Sequence, residues 1–133
     1  VKQNPQIATG VDTQRIRERI RSLGLRATAG RIAVVERLLE YDRPVTHGEL
    51  AEALAPQGFD RASLFRNLVD LTESGLVSRT DLGDHVWRYY LGDLERPPDA
   101  ESHYAEHPHF VCVQCGRTMC LHNVTVVIKA SPN

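Results

Sequence analysis

An α+β chain is predicted, with a winged helix-turn-helix at the N-terminus and a small α/β segment after it, and three observations predict this order. Apolar residues recur at helical spacing in four successive segments before Gly75. Two stretches rich in β-formers follow at once, separated by a turn. Beyond an acidic, proline-bearing stretch, short apolar runs flank Cys112-Val113-Gln114-Cys115. The expected organisation is a winged helix over residues 1–92, a linker over 93–106 and a partial metal-binding segment over 107–133.

Each element has its own signal. Ile16, Ile20 and Leu23 share one helical face and Gly24 is a C-terminal stop, so an arginine-rich first helix runs from Asp12 to Leu23. Thr28 caps a second helix whose stripe is Ile32, Val35, Leu38 and Leu39, ending before Asp42-Arg43-Pro44. Thr46-His47-Gly48-Glu49 has the capping-box pattern and opens a short helix through Leu50 and Leu54, which Pro56 and Gly58 end. Asp60 caps a fourth helix striped by Leu64, Leu68 and Leu71 and stopped by Ser74-Gly75. The third and fourth helices form a helix-turn-helix. Leu76 to Arg79 and Val86 to Leu91 read as strands around the turn Asp81-Leu82-Gly83-Asp84, a hairpin wing. Pro97-Pro98 and five acids between Gly92 and Glu106 mark the linker. Phe110 to Val113 and Thr118 to Ile128 read as strands on either side of a Cys-x-x-Cys-Gly knuckle.

Composition narrows the class. The chain has 133 residues, 41% hydrophobic and 25% charged, and no apolar run approaches the roughly 18 residues of a membrane helix. No signal-peptide core follows Val1-Lys2-Gln3-Asn4-Pro5, so a cytoplasmic protein without a membrane partner is expected. Three cysteines, two of them clustered, speak against a secreted disulfide framework and for metal or redox chemistry. The net charge of −1 does not by itself suggest nucleic acid. Seven arginines between Arg15 and Arg37 against only Glu18 and Glu36 do suit phosphate contacts, although a solvated helix face accounts for them equally well. No nucleophile-and-base pair or general-acid carboxylate stands in a pocket motif, so an enzyme is not expected.

A helix-turn-helix sets the N-terminal part of its second helix in the major groove, which makes Arg61, Ser63, Phe65, Arg66 and Asn67 the candidate readers. Arginine grips guanine or phosphate, and an exposed phenylalanine can meet a thymine methyl. The alternative for Phe65 is a core aromatic, but leucines already fill the inward positions. Cys112 and Cys115 supply half of a tetrahedral zinc site, the alternative being a thioredoxin-like redox pair. His107 and His109, two apart, project to one side of an extended segment and can hold one ion.

In order along the chain, Gly24-Leu25-Arg26-Ala27-Thr28-Ala29-Gly30-Arg31, Ser63-Leu64-Phe65-Arg66-Asn67-Leu68, Glu73-Ser74-Gly75-Leu76-Val77 and His107-Pro108-His109-Phe110-Val111-Cys112-Val113-Gln114-Cys115-Gly116 resemble the ferric uptake regulator family. The resemblance implies a C-terminal α/β dimerisation domain, here read as truncated. It also implies a homodimer that represses transcription by metal-dependent binding to palindromic double-stranded operator DNA. Arg26 matches the basic residue that approaches the minor groove, and Ser63, Phe65 and Arg66 match recognition-helix contacts. The family usually has tyrosine at the place of Phe65 and proline at that of Gly30. A second cysteine pair usually completes the Cys112/Cys115 zinc site, and His107 and His109 match the sensing pair. Cys120 stands where an acidic ligand is common, and Tyr90 where another carboxylate ends the wing. A ligand histidine is displaced, with Pro44 or Val45 near its place and His47 just beyond. These departures favour zinc over iron at a regulatory site of His107, His109 and Cys120 with His103 or His85, nickel and manganese being the other candidate ions. Two other readings are a peroxide- or redox-sensing regulator of the same fold and a zinc-ribbon and winged-helix module that binds protein rather than DNA.

Overall fold

The computed structural model describes residues 12–41, 43–92, 94, 109–115, 118–121 and 124–131. Asp12 accepts the Gln14 backbone N–H and starts α1, Thr13–Ser22. That helix closes in a Schellman motif: the Gly24 N–H reaches the Arg21 carbonyl at 2.9 Å and the Leu25 N–H the Ile20 carbonyl at 3.2 Å. The motif needs a left-handed residue at its turn, and Gly24 supplies it with φ +80°. Thr28 caps α2, Ala29–Leu39, through the Arg31 N–H. The reciprocal Thr46 and Glu49 bonds of a capping box open α3, His47–Leu54. A single 3-10 turn, Ala55–Gln57, ends at left-handed Gly58 and leads to α4, Arg61–Glu73, capped by Asp60.

The core is built where the apolar stripes meet. Ile16 and Ile20 of α1, Val34 and Val35 of α2, Leu50 of α3 and Leu64, Leu68 and Leu71 of α4 are wholly buried. Helix α4 packs on α2 and α3 and against the strand that follows it. Its link to α2 is also electrostatic. Arg31 Nη2 sits 2.5 Å from Asp70 Oδ2, and Arg31 Nη1 donates to the Arg26 carbonyl at 2.8 Å.

The wing consists of β2, Val77–Asp81, and β3, Trp87–Leu91, paired antiparallel with Val77 opposite Leu91 and Asp81 opposite Trp87. A third strand, β1, Val45–Thr46, adds to the far side of β3, giving the order β1-β3-β2. Two residues are too few to show a period of two, so this strand has no sequence signature of its own. It matters because it ties the start of the helix-turn-helix to the wing, with Val45 buried opposite Tyr89.

The C-terminal segment forms a second, two-stranded antiparallel sheet from β4, His109–Val111, and β5, Thr118–Cys120. The expected strand from Thr118 to Ile128 is therefore corrected. Among its described residues only the first three pair, while 124–131 have no regular structure and lie exposed, with no neighbouring strand among the described residues to take their backbone groups.

Candidate nucleic-acid interface

Helix α4 starts sharply because Asp60 Oδ1 accepts the Ser63 N–H at 2.9 Å, and bonding to Ser63 also holds the Asp60 carboxyl below the ordinary 3.8. With Leu64, Leu68 and Leu71 inside, Arg61, Phe65 and Arg66 are turned to solvent and Ser63 lies half-buried beside them. Arg66 Nη2 donates to Ser63 Oγ at 3.3 Å, which orients the guanidinium along the helix. Phe65 is 47% exposed, far outside the core that claims every leucine of this helix.

Three placements were not visible in the residue pattern. Asn67 is half-buried against α2, and a Cβ built on Gly30 would stand 2.5 Å from its Nδ2, so the amide fills the space a larger residue would occupy. The Phe65 ring meets His47 edge-on, with centroids 5.5 Å apart at 63°. Arg31 and Arg37, two of the seven clustered arginines, are engaged with Asp70 and Glu40. No local signal announces such pairs, since Arg31 and Asp70 lie 39 residues apart. Arg15, Arg17 and Arg21 on α1 and Arg26 on the α1–α2 connection are exposed.

On the wing, Asp81 Oδ1 accepts both the Gly83 and His85 backbone N–H groups, and His85 adopts a left-handed conformation at φ +59°. The Arg79 guanidinium lies 4.2 Å from the Trp87 ring centroid, a cation–π contact. Arg88 donates twice to Asp84, at 2.8 and 3.0 Å, and these bonds pull the Asp84 carboxyl down to about 2 from the ordinary 3.8. A depressed folded-state pKa contributes stability above the unfolded value and loses it as pH falls through the folded one. The wing turn is therefore expected to loosen between about pH 4 and pH 2. Fluorescence of Trp87, the sole tryptophan, reports it. An acid transition as large in Asp84→Asn as in the parent would remove this assignment.

The knuckle turn between β4 and β5 places Cys112 half-buried and Cys115 exposed, both as thiols. They share a cavity of about 610 Å³ with Arg43, Glu49, Asp84 and Arg88. Its charges are matched internally, Arg43 to Glu49 at 2.7 Å and Arg88 to Asp84 at 2.8 Å, and the Arg43 bond lowers the Glu49 carboxyl below its usual range. Two thiols on one tight turn suit a thiophilic ion such as zinc but supply only two of four ligands. Among the described residues, no three His, Cys, Asp or Glu gather to hold a metal. His103 and His107 lie outside the described residues, as do the side chains of His109 and Cys120. The strand register does make His109 and Cys120 cross-strand partners.

The sequence profile of the Ferric uptake regulator family matches residues 22–130. The chain belongs to this family. A ferric uptake regulation protein of Bacillus subtilis is 32% identical over 106 residues, covering 77% of this chain and 66% of the relative. A peroxide-responsive repressor of Staphylococcus saprophyticus is 28% identical over 105 residues, covering 77% and 64%. The chain thus spans about two thirds of the length of either curated relative. Among solved structures, a ferric uptake regulator of Pseudomonas aeruginosa with manganese superposes with a TM-score of 0.61 at 24% identity, covering 80% of this chain and 74% of that one. That likeness shows the fold.

Proposed function

We propose that this chain is a metal-responsive, sequence-specific transcriptional repressor that binds inverted-repeat operator DNA as a homodimer, with zinc favoured over iron. The observation that carries the reading is the solvent face of α4. Arg61, Ser63, Phe65 and Arg66 stand outward on the second helix of a helix-turn-helix, and a wing follows directly. Family membership supports the same reading. Arg26 and the exposed arginines of α1 supply phosphate contacts, and Asn67 contributes through its seat on α2.

Cys112 and Cys115 hold a structural zinc once two further ligands join them, and the ion's part there is to fix the hairpin. His107, His109 and Cys120, with His103 or His85, form the regulatory site. The register that pairs His109 with Cys120 supports it, and the thiolate draws preference toward zinc. Exposed Phe110 and Met119, cross-strand partners on the C-terminal sheet, support self-association. The role is regulatory rather than enzymatic. No helix among the described residues is long and apolar enough to cross a membrane.

Fluorescence polarisation with inverted-repeat duplexes, first in chelator and then across a panel of divalent metals, tests the proposal. Affinity is expected to rise by about 5- to 150-fold on adding metal, zinc most effectively. Equal binding with and without metal would sink it. A second reading has its own support in the similarity to a peroxide-responsive repressor and in the accessible knuckle thiol. In that case peroxide treatment, rather than chelation, abolishes DNA binding through thiolate oxidation and metal release.

A further inference from the structure

The first residue of α3 reaches across to the reading helix at two points. His47 Nε2 lies 2.9 Å from the carbonyl oxygen of Arg61, and because a carbonyl only accepts, that nitrogen carries the proton. The same ring meets Phe65 edge-to-face, centroids 5.5 Å apart. Arg61 and Phe65 are four residues apart on α4, one turn above the other. One imidazole therefore spans the reading face from the backbone of its first turn to the aromatic ring of its second.

An exposed phenylalanine on a helix has two open χ1 wells, and they point the ring in different directions along the groove face. Edge-to-face contact with a ring fixed by its own hydrogen bond favours one well by about two- to tenfold. We infer that His47 is a specificity-determining positioning residue for DNA reading, holding the Phe65 ring in the orientation that meets a thymine methyl. This rests on the proposal that α4 reads DNA. Because the usual tyrosine hydroxyl is absent at this position, ring placement by His47 is what Phe65 has to select one base step.

The test uses the full chain with its metal and duplexes selected from a random pool. Each thymine is replaced in turn by deoxyuridine, which lacks only the methyl group, and affinity is measured by fluorescence polarisation. The unmutated protein should lose about three- to tenfold at the step Phe65 reads, and Phe65→Ala should lose that sensitivity. His47→Ala should bring the thymine-to-deoxyuridine ratio at that step close to one, and His47→Gln, which keeps a donor but no ring, should do the same. His47→Phe should recover at least half of the discrimination. A His47→Ala protein that retains the full ratio where Phe65→Ala has lost it overturns the positioning role alone. Phe65→Ala retaining the ratio overturns the assignment of Phe65 and with it this inference. A pool that yields no preferred sequence overturns the DNA-reading proposal itself.

Discussion

Leu68→Ala is expected to lower the free energy of unfolding by about 2–5 kcal/mol. Leu68 is wholly buried at the middle of α4, the helix that touches α2, α3 and β2, so the missing atoms leave a cavity inside the shared core. Those elements are themselves pinned, α2 by the Arg31–Asp70 pair and the wing by β1, which limits how far they can relax into the space. Phe65→Ala, one turn from Leu68 on the same helix but half exposed, should change stability by less than about 1 kcal/mol. Urea denaturation of both variants gives the comparison. Equal losses would mean that the inward and outward faces of α4 are wrongly divided.

Arg66→Ala is expected to weaken binding to the preferred operator by about 1–3 kcal/mol and to relax preference at the base it reads. Arg17→Ala should behave differently. That side chain is exposed on α1, where the proposed binding mode sets it against phosphates, so its loss should weaken all duplexes alike and reduce the slope of log K against log salt by about one. The two residues carry the same charge, and only their placement separates them. Arg66 is held by Ser63 on the solvent face of α4, and among the described residues the bond from its Nη2 leaves the rest of the guanidinium fork available to a base edge. Polarisation titrations at several salt concentrations on operator and scrambled duplexes distinguish the roles. Two variants with the same uniform loss would reassign Arg66 to the phosphate backbone.

The helical half of this chain was legible because its signals are local. Thr28, the Thr46–Glu49 box and Asp60 each cap a helix within three residues, and the stripes they introduce are the buried ones. The wing turn was legible for the same reason, through Asp81 accepting from its own loop. What the pattern hid was long-range. Nothing near Arg31 announces Asp70, nothing near Gly30 announces Asn67, and β1 is shorter than any period that could reveal it. The apolar run after Cys120 misled because β-propensity says which residues fit a pleated sheet, not whether a partner strand is there to receive them. The solvent face of α4 followed from the stripe opposite it. The proposed metal ligands, spread over His107, His109 and Cys120 with His103 or His85, depend on how distant backbone segments converge, which spacing alone does not encode.

The close seat of Asn67 on Gly30 gives a position on α2 a hold on α4. A bare α-carbon on α2 is the parking place for an amide that belongs to the reading helix. A side chain at position 30 would make that amide shift without altering a single residue of α4. On the proposal that α4 reads DNA, position 30 sets the seat of a recognition-helix amide without itself lying on that helix.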